Sequence, residues 1–256
     1  MLTPSHPPSG RSGLRRLLAP LQVVYALYAG LVFVLLAVLT LLVLLGIPSL
    51  GARRALVRAA ARTFFALAGL RVTIRGRHLL PATACVVVAN HASYLDGVLL
   101  SAVLPARFSF VIKREMEAVP LAGLLLRRIG AQFVERANRQ RGAGDARRVM
   151  RAASSGQSLA FFPEGTFSPE PGLLRFHAGA FVTAARAGFP VVPIVIRGTR
   201  RAMPPDGSLP LPGRLRVEFL PAIPCDGHAP EHAAKHLRER ARAAILEKVP
   251  EPDFAS

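Results

Sequence analysis

Tryptophan is absent from this chain of 256 residues, tyrosine occurs only three times and cysteine only twice. With so few stacking aromatics and no zinc-ligand spacing, the usual single-strand and RNA-binding patterns are missing, and nucleic acid is not expected as a partner. Cys85 and Cys225 lie far apart, and no secretory cleavage pattern precedes them. That excludes a disulfide framework and a cysteine metal cluster, and it points to the reduced cytoplasm. Acidic residues are scarce, 15 against 33 basic ones, for a formal net charge of +18. Lysine is scarce as well: Lys113, Lys235 and Lys248 are the only ones, and the excess is arginine. Genome composition can produce so lopsided a preference, so the charge is read only as a basic surface suited to phospholipid head groups or phosphorylated substrates.

Charge is missing altogether from residues 23–47, a run dense in Leu and Val. As a helix it reaches roughly 37 Å, enough to cross a hydrocarbon core of about 30 Å. It is too long for a signal-peptide core, and no small-residue cleavage site follows. Arginines flank it on both sides (Arg11, Arg15 and Arg16 before; Arg53, Arg54, Arg58 and Arg62 after), so the positive-inside rule does not choose an orientation. Residues 50–70 gather Leu56, Ala59, Phe64 and Leu67 on one side with arginines elsewhere, which suits a second helix lying on the membrane interface. A true span and a helical hairpin dipping into one leaflet both fit. The expected organisation is a flexible basic arm (1–20), membrane-anchoring helices (21–70) and one further domain (71–256).

From residue 71 onward short apolar runs alternate with stretches of helical spacing. Strands are expected at 72–74, 85–89, 108–112, 131–134, 158–162, 191–196 and 215–219, and helices at 96–104, 118–129, 144–153, 178–187 and 232–248. Strands separated by helices predict an α/β domain, a mixed and largely parallel sheet flanked by helices, preceded by the membrane-anchoring segment.

Asn90-His91-Ala92-Ser93-Tyr94-Leu95-Asp96 follows one of these runs directly, so His91 should project from the C-terminal end of a strand, the edge where ligands collect in open α/β sheets. If the intervening residues turn into a helix, Asp96 can accept the Nδ1 proton of His91 and leave Nε2 free as a base. Phe162-Pro163-Glu164-Gly165-Thr166 follows a second run, and Pro163 with Gly165 forces a tight loop whose amides, with the Thr166 hydroxyl, suit an anion. Phe133-Val134-Glu135-Arg136 would bring Arg136 to the same edge. Neither cysteine lies in a catalytic context, there is no Gly-x-Ser-x-Gly elbow, and the histidines supply no ligand set, so no cofactor and no metal are expected.

These motifs, with the late Val191–Ile196 segment, occur in the order and approximate spacing of the four blocks of the glycerolipid acyltransferase family, and the chain resembles its bacterial 1-acylglycerol-3-phosphate acyltransferases over roughly residues 70–220. The resemblance implies a membrane enzyme of phospholipid biosynthesis, in a bacterial inner membrane with its catalytic domain on the cytoplasmic face. Its partners would be an acyl-CoA or acyl-carrier protein donor, a lyso-phospholipid acceptor and the surrounding lipids. It makes His91 the general base and Asp96 its orienting partner, with Lys113, Arg136, Glu164, Gly165 and Thr166 binding the acceptor's glycerol phosphate. One departure stands out: many members continue the third block with arginine where this chain has Phe167. Arg175, Arg197 or Arg200 would then supply the missing cation, or the acceptor is another lyso-lipid, such as a lyso-ornithine lipid. An inactive, basic lipid-binding version of the fold is the remaining alternative.

Overall fold

Val86, Val87 and Val88 carry branched apolar side chains with no polar residue between them, a pattern that fits a strand covered on both faces. In the computed structural model, which describes residues 10–135, 139–225, 229–249 and 252–254, this run is the strand Val86–Ala89 and all four residues are buried. Val86 and Val88 enter one apolar cluster, Val87 and Ala89 the other, as the two-residue period of a strand requires.

Seven strands form one sheet: β1 (Arg71–Arg75), β2 (Val86–Ala89), β3 (Phe108–Lys113), β4 (Gln132–Val134), β5 (Ser158–Phe161), β6 (Val191–Arg197) and β7 (Arg214–Phe219). Their order is β1-β7-β6-β2-β5-β3-β4, and every pairing is parallel except β6 with β7. β6, β2, β5, β3 and β4 therefore end along one edge, and the expected mixed, largely parallel sheet is present. The helices are α1 (Gly10–Gly46), α2 (Leu50–Leu67), α3 (Leu95–Val103), α4 (Ala122–Arg128), α5 (Arg139–Ser154), α6 (Gly179–Ala187), α7 (Thr199–Ala202) and α8 (Pro230–Lys248). One cluster packs α2 and α3 against the sheet, the other α5, α6 and α8. In the reversed strands β7 buries alternate residues, β1 half-buries Val72 and Ile74, and both turn arginines outward, as a sheet with one wet face does.

Several expectations change. The helix expected at 118–129 is broken: Arg114–Ala118 is a 3-10 turn, and α4 starts only at Ala122. Pro120 explains it, because its ring disfavours helical backbone at the preceding residue, and Val119 is extended (φ −71°, ψ 121°). The N-terminal helix begins at Gly10, so the second half of the stretch expected as a flexible arm is helical.

α1 and α2 form an antiparallel hairpin. The Tyr25 and Tyr28 hydroxyls donate to the carbonyls of Ala68 and Leu67 (both 3.1 Å), and Phe33 meets Phe64 edge-on at 5.3 Å. Ser49 caps α2 by accepting the Ala52 N–H. The outer side of α1 stays apolar and exposed, with Leu27, Leu31, Leu35, Leu39 and Leu42 among its residues, which suits the chain to membrane association. α2 does not lie free on an interface: Ala61, Phe64 and Phe65 join the core beside Leu99 and Leu100 of α3, each phenylalanine contributing about 1.5–3 kcal/mol of burial. Arg54 fastens its other end. This guanidinium is 9% exposed and donates from Nε to Ile129 O at 2.8 Å, the carbonyl where α4 ends. Arg54→Ala leaves that carbonyl unpaired and is expected to cost about 2–4 kcal/mol, whereas Arg71→Ala on the exposed edge strand should cost under about 0.5 kcal/mol. Denaturant unfolding in mild detergent measures both, and equal losses would contradict a fastening role for Arg54.

Candidate active site

β2 ends at Ala89, and the next side chain extends the pairing beyond the strand. Asn90, 3% exposed, donates from Nδ2 to Ile196 O (2.9 Å) and accepts the Ile196 N–H on Oδ1 (2.7 Å). The side-chain amide thus stands in for one more rung between β2 and β6, and His91 leaves the sheet from a fixed point. Asp96 lies in the first turn of α3 and is wholly buried. Its Oδ2 is 2.9 Å from His91 Nδ1 and also accepts the backbone N–H groups of Ala92 (2.6 Å) and Ser93 (2.8 Å). A carboxylate oxygen that collects donors is an acceptor toward the ring as well, so in the neutral imidazole the proton sits on Nδ1 and the lone pair on Nε2. The turn is closed by Ser93, whose hydroxyl donates to Met203 O at 2.7 Å and accepts the Leu95 N–H. Phe162 stacks on the His91 ring at 4.2 Å, and Phe167 meets its edge at 4.7 Å, leaving the imidazole 17% exposed.

β5 lies beside β2 and delivers the second motif to the same edge. Glu164, expected among the substrate-binding residues, is 3% exposed and holds two backbone N–H groups. One carboxylate oxygen accepts the His91 N–H at 2.7 Å, and the other accepts the Leu174 N–H at 2.8 Å. Gly165 adopts φ +76°, a left-handed conformation that favours glycine. Its N–H donates to Phe162 O at 3.0 Å and so closes the turn rather than facing an anion. Thr166 is exposed at the rim.

The remaining expected residues spread along the edge. Lys113 ends β3, two strands from β2 and so roughly 10 Å across the sheet; it is exposed, with Nζ 2.9 Å from Glu115 Oε1. Arg136 lies outside the described residues. Just before it, the Glu135 N–H donates to Asp145 at 2.7 Å, and Asp145 also pairs with Arg114 and Arg148. Burial opposes ionisation of Asp145, but the Arg114 hydrogen bond, the Glu135 N–H and the two arginine charges together hold its carboxyl below the ordinary value. Of the substitute cations, Arg197 pairs with Glu218 (3.3 Å), Arg200 donates to Ser168 O (2.6 Å) just past Phe167, and Arg175 is exposed on the same loop. Asn90, Ser93 and Phe162 carry roles that the sequence reading did not assign, although all three stand inside the quoted motifs.

A family model described as Acyltransferase matches residues 71–197. The chain is 34% identical over 209 residues to the 1-acyl-sn-glycerol-3-phosphate acyltransferase beta of Homo sapiens, covering 79% of this chain and 74% of that protein. It is 35% identical over 188 residues to the alpha form of Bos taurus, covering 70% of this chain and 63% of the relative. With the chloroplastic BAT2 enzyme of Brassica napus the identity is 36% over 136 residues, 52% of this chain and 39% of the relative. This chain therefore spans less than two thirds of the bovine and Brassica proteins. Among solved structures, the 1-acyl-sn-glycerophosphate acyltransferase PlsC of Thermotoga maritima superposes with a TM-score of 0.72 at 23% identity, covering 91% of this chain and 97% of that one, a likeness of fold.

Neither cysteine belongs to this edge. Cys85 is buried and precedes β2, at the opposite end of the strand and about 20 Å from His91 by strand rise. Burial pushes its thiol up to about 11, with Arg107 and the Ser158 hydroxyl opposing more weakly. A raised pKa leaves little thiolate at neutral pH, so iodoacetamide at pH 7.5 should alkylate Cys85 at least about tenfold more slowly than the half-exposed Cys225. Equal labelling by mass spectrometry would contradict the burial.

Proposed function

The chain belongs to the acyltransferase family, and on that premise we propose that it transfers a fatty acyl group from a thioester to the free hydroxyl of 1-acylglycerol 3-phosphate, forming phosphatidic acid. The observation that carries this reading is the His91–Asp96 contact at 2.9 Å, with the ring also braced by Phe162. Nε2 of His91 removes the proton of the acceptor hydroxyl, and the oxygen attacks the thioester carbonyl carbon. The tetrahedral intermediate collapses with cleavage of the C–S bond, and the departing thiolate takes the proton from the imidazolium. Asp96 holds the ring and balances its positive charge during the transfer. No acyl-enzyme is needed, because the acceptor oxygen attacks the thioester directly.

Lys113, Thr166 and Arg136, the last outside the described residues, are the groups we assign to the acceptor's phosphate; Gly165 shapes the turn after Phe162, and Glu164 positions His91. The donor is acyl-CoA or acyl-carrier protein. The anchoring unit is residues 21–70 and the catalytic unit 71–256. Pairing of α1 with α2, and of α2 with the domain core, supports a hairpin seated in one leaflet over a helix that crosses the bilayer alone. We place the catalytic unit on the cytoplasmic face of a bacterial inner membrane. One observation favours a different acceptor: Phe167 packs on His91 and on Tyr94 (4.8 Å), so an aromatic edge borders the base. A lyso-lipid such as lyso-ornithine lipid suits that edge, and competition between acceptors separates the two.

Membranes carrying the wild type, His91→Ala or Glu164→Gln, given labelled acyl-CoA or acyl-carrier protein and lysophosphatidic acid, test the proposal. Phosphatidic acid formation should fall by about 10³-fold or more in His91→Ala. In Glu164→Gln turnover should fall by roughly 10–100-fold while the acceptor KM shifts less than about threefold, since only the placement of the base is disturbed. A wild type that acylates no lyso-lipid would overturn the enzyme reading, and a change confined to KM in Glu164→Gln would return that residue to substrate binding.

A further inference from the structure

The loop that carries the third motif runs from Pro163 to His177 without regular structure, and its two ends meet where the His177 N–H donates to Pro163 O at 2.8 Å. A loop of that length in a compact domain needs something to hold its middle. At Leu173, 1% exposed, the chain from the far C-terminal end provides it. The Leu173 N–H donates to Pro252 O at 2.9 Å, and the Phe254 N–H donates to Leu173 O at 3.1 Å. Asp253, between those two contacts, forms an ion pair through both carboxylate oxygens with Arg242 of α8, one contact at 2.9 Å. Arg242 also reaches Leu173 O at 3.4 Å and lies 5.9 Å from the ring centre of Phe176. The Phe254 ring rests on Gly172 so closely that a Cβ there would come within 2.2 Å of it.

The next residue along is Leu174, whose N–H is the second ligand of the Glu164 carboxylate. The first is the backbone N–H of His91. A continuous set of contacts therefore runs from Asp253 and Arg242 through Leu173 and Leu174 to Glu164 and the base. We propose that residues 252–254, locked to Arg242, act as a strap whose task is to position His91 through Glu164, which makes Arg242 and Asp253 positioning residues for the active site. The inference rests on the reading of His91 as the base. If the strap loosens, Leu174 withdraws its N–H, the buried carboxylate of Glu164 turns toward other donors, and the backbone of His91 loses its brace. A displacement of about 1 Å in a reacting group is enough for a loss near 10²-fold in turnover.

A strap that merely stabilised α8 would lower the melting temperature and leave the chemistry alone, so the experiment separates the two. Asp253→Ala, Phe254→Ala and Gly172→Ala are made in the full chain, alone and on Glu164→Gln, and assayed well below their melting temperatures. The expected result is a loss of roughly 10–100-fold in kcat with acceptor KM within about threefold. Arg242→Lys should restore more activity than Arg242→Ala. On Glu164→Gln the strap variants should add little further loss, because both act through one link. An activity-independent arm measures carbethoxylation of His91 by diethyl pyrocarbonate with mass spectrometry, expected to change severalfold in Asp253→Ala. Additive losses on Glu164→Gln, or unchanged His91 labelling in all three strap variants, would overturn the proposal. A wild type without acyl transfer on any acceptor would instead overturn the assigned function, and the labelling arm would still decide the strap.

Discussion

A buried carboxylate oxygen that accepts three N–H groups, two from the backbone and one from an imidazole, sets the geometry on which the site depends. Asp96 Oδ2 cannot hold the amides of Ala92 and Ser93 unless the chain turns sharply after His91, and that turn brings the ring to the same oxygen. The contact therefore links local folding to chemistry. The bonds that nucleate the first turn of α3 are the ones that fix the tautomer of His91. Glu164 performs the complementary task on the backbone side, so His91 is held by one carboxylate at its ring and another at its amide. Both carboxylates are almost completely buried, where an acceptor stripped of its donors is costly, and this makes the arrangement rigid.

Sheet order makes the meeting possible. β2 and β5 are neighbours although about 70 residues separate them, and their parallel register ends both at one edge. β6 on the other side is joined to the turn through the Asn90 amide and β3 brings Lys113 to the next position but one. The hairpin of α1 and α2 closes one face of this sheet through Phe64, Phe65 and Arg54 while its outer side remains apolar. A lipid-borne acceptor and a water-borne donor would both reach a site held in that position.

Much of this was legible in the sequence. The seven apolar runs and the His91–Asp96 pair could be read because strand periodicity and a five-residue spacing are local properties. What escaped the sequence was direction over long range. Glu164 stands in a loop beside Gly165, and one partner of its carboxylate, the amide of His91, lies 73 residues away. Phe167 reads as a departure from the family pattern, and only the folded chain brings it to the edge of the imidazole. Apolar spacing over 118–129 reads as one helix, and the extended backbone that Pro120 imposes on Val119 divides it. The strap at 252–254 carries no motif, since what it does depends on the distant backbone of Leu173.

The central claim is that Asp96 fixes the proton of His91 on Nδ1 and leaves Nε2 as the base. Nitrogen-15 NMR of histidine-labelled protein in lipid nanodiscs at mildly alkaline pH, with His91→Gln to assign the signal, reads this directly. The account predicts a protonated Nδ1 and an acceptor-type Nε2 in the wild type, and a shift of that population in Asp96→Asn. A wild-type ring protonated on Nε2 would contradict it.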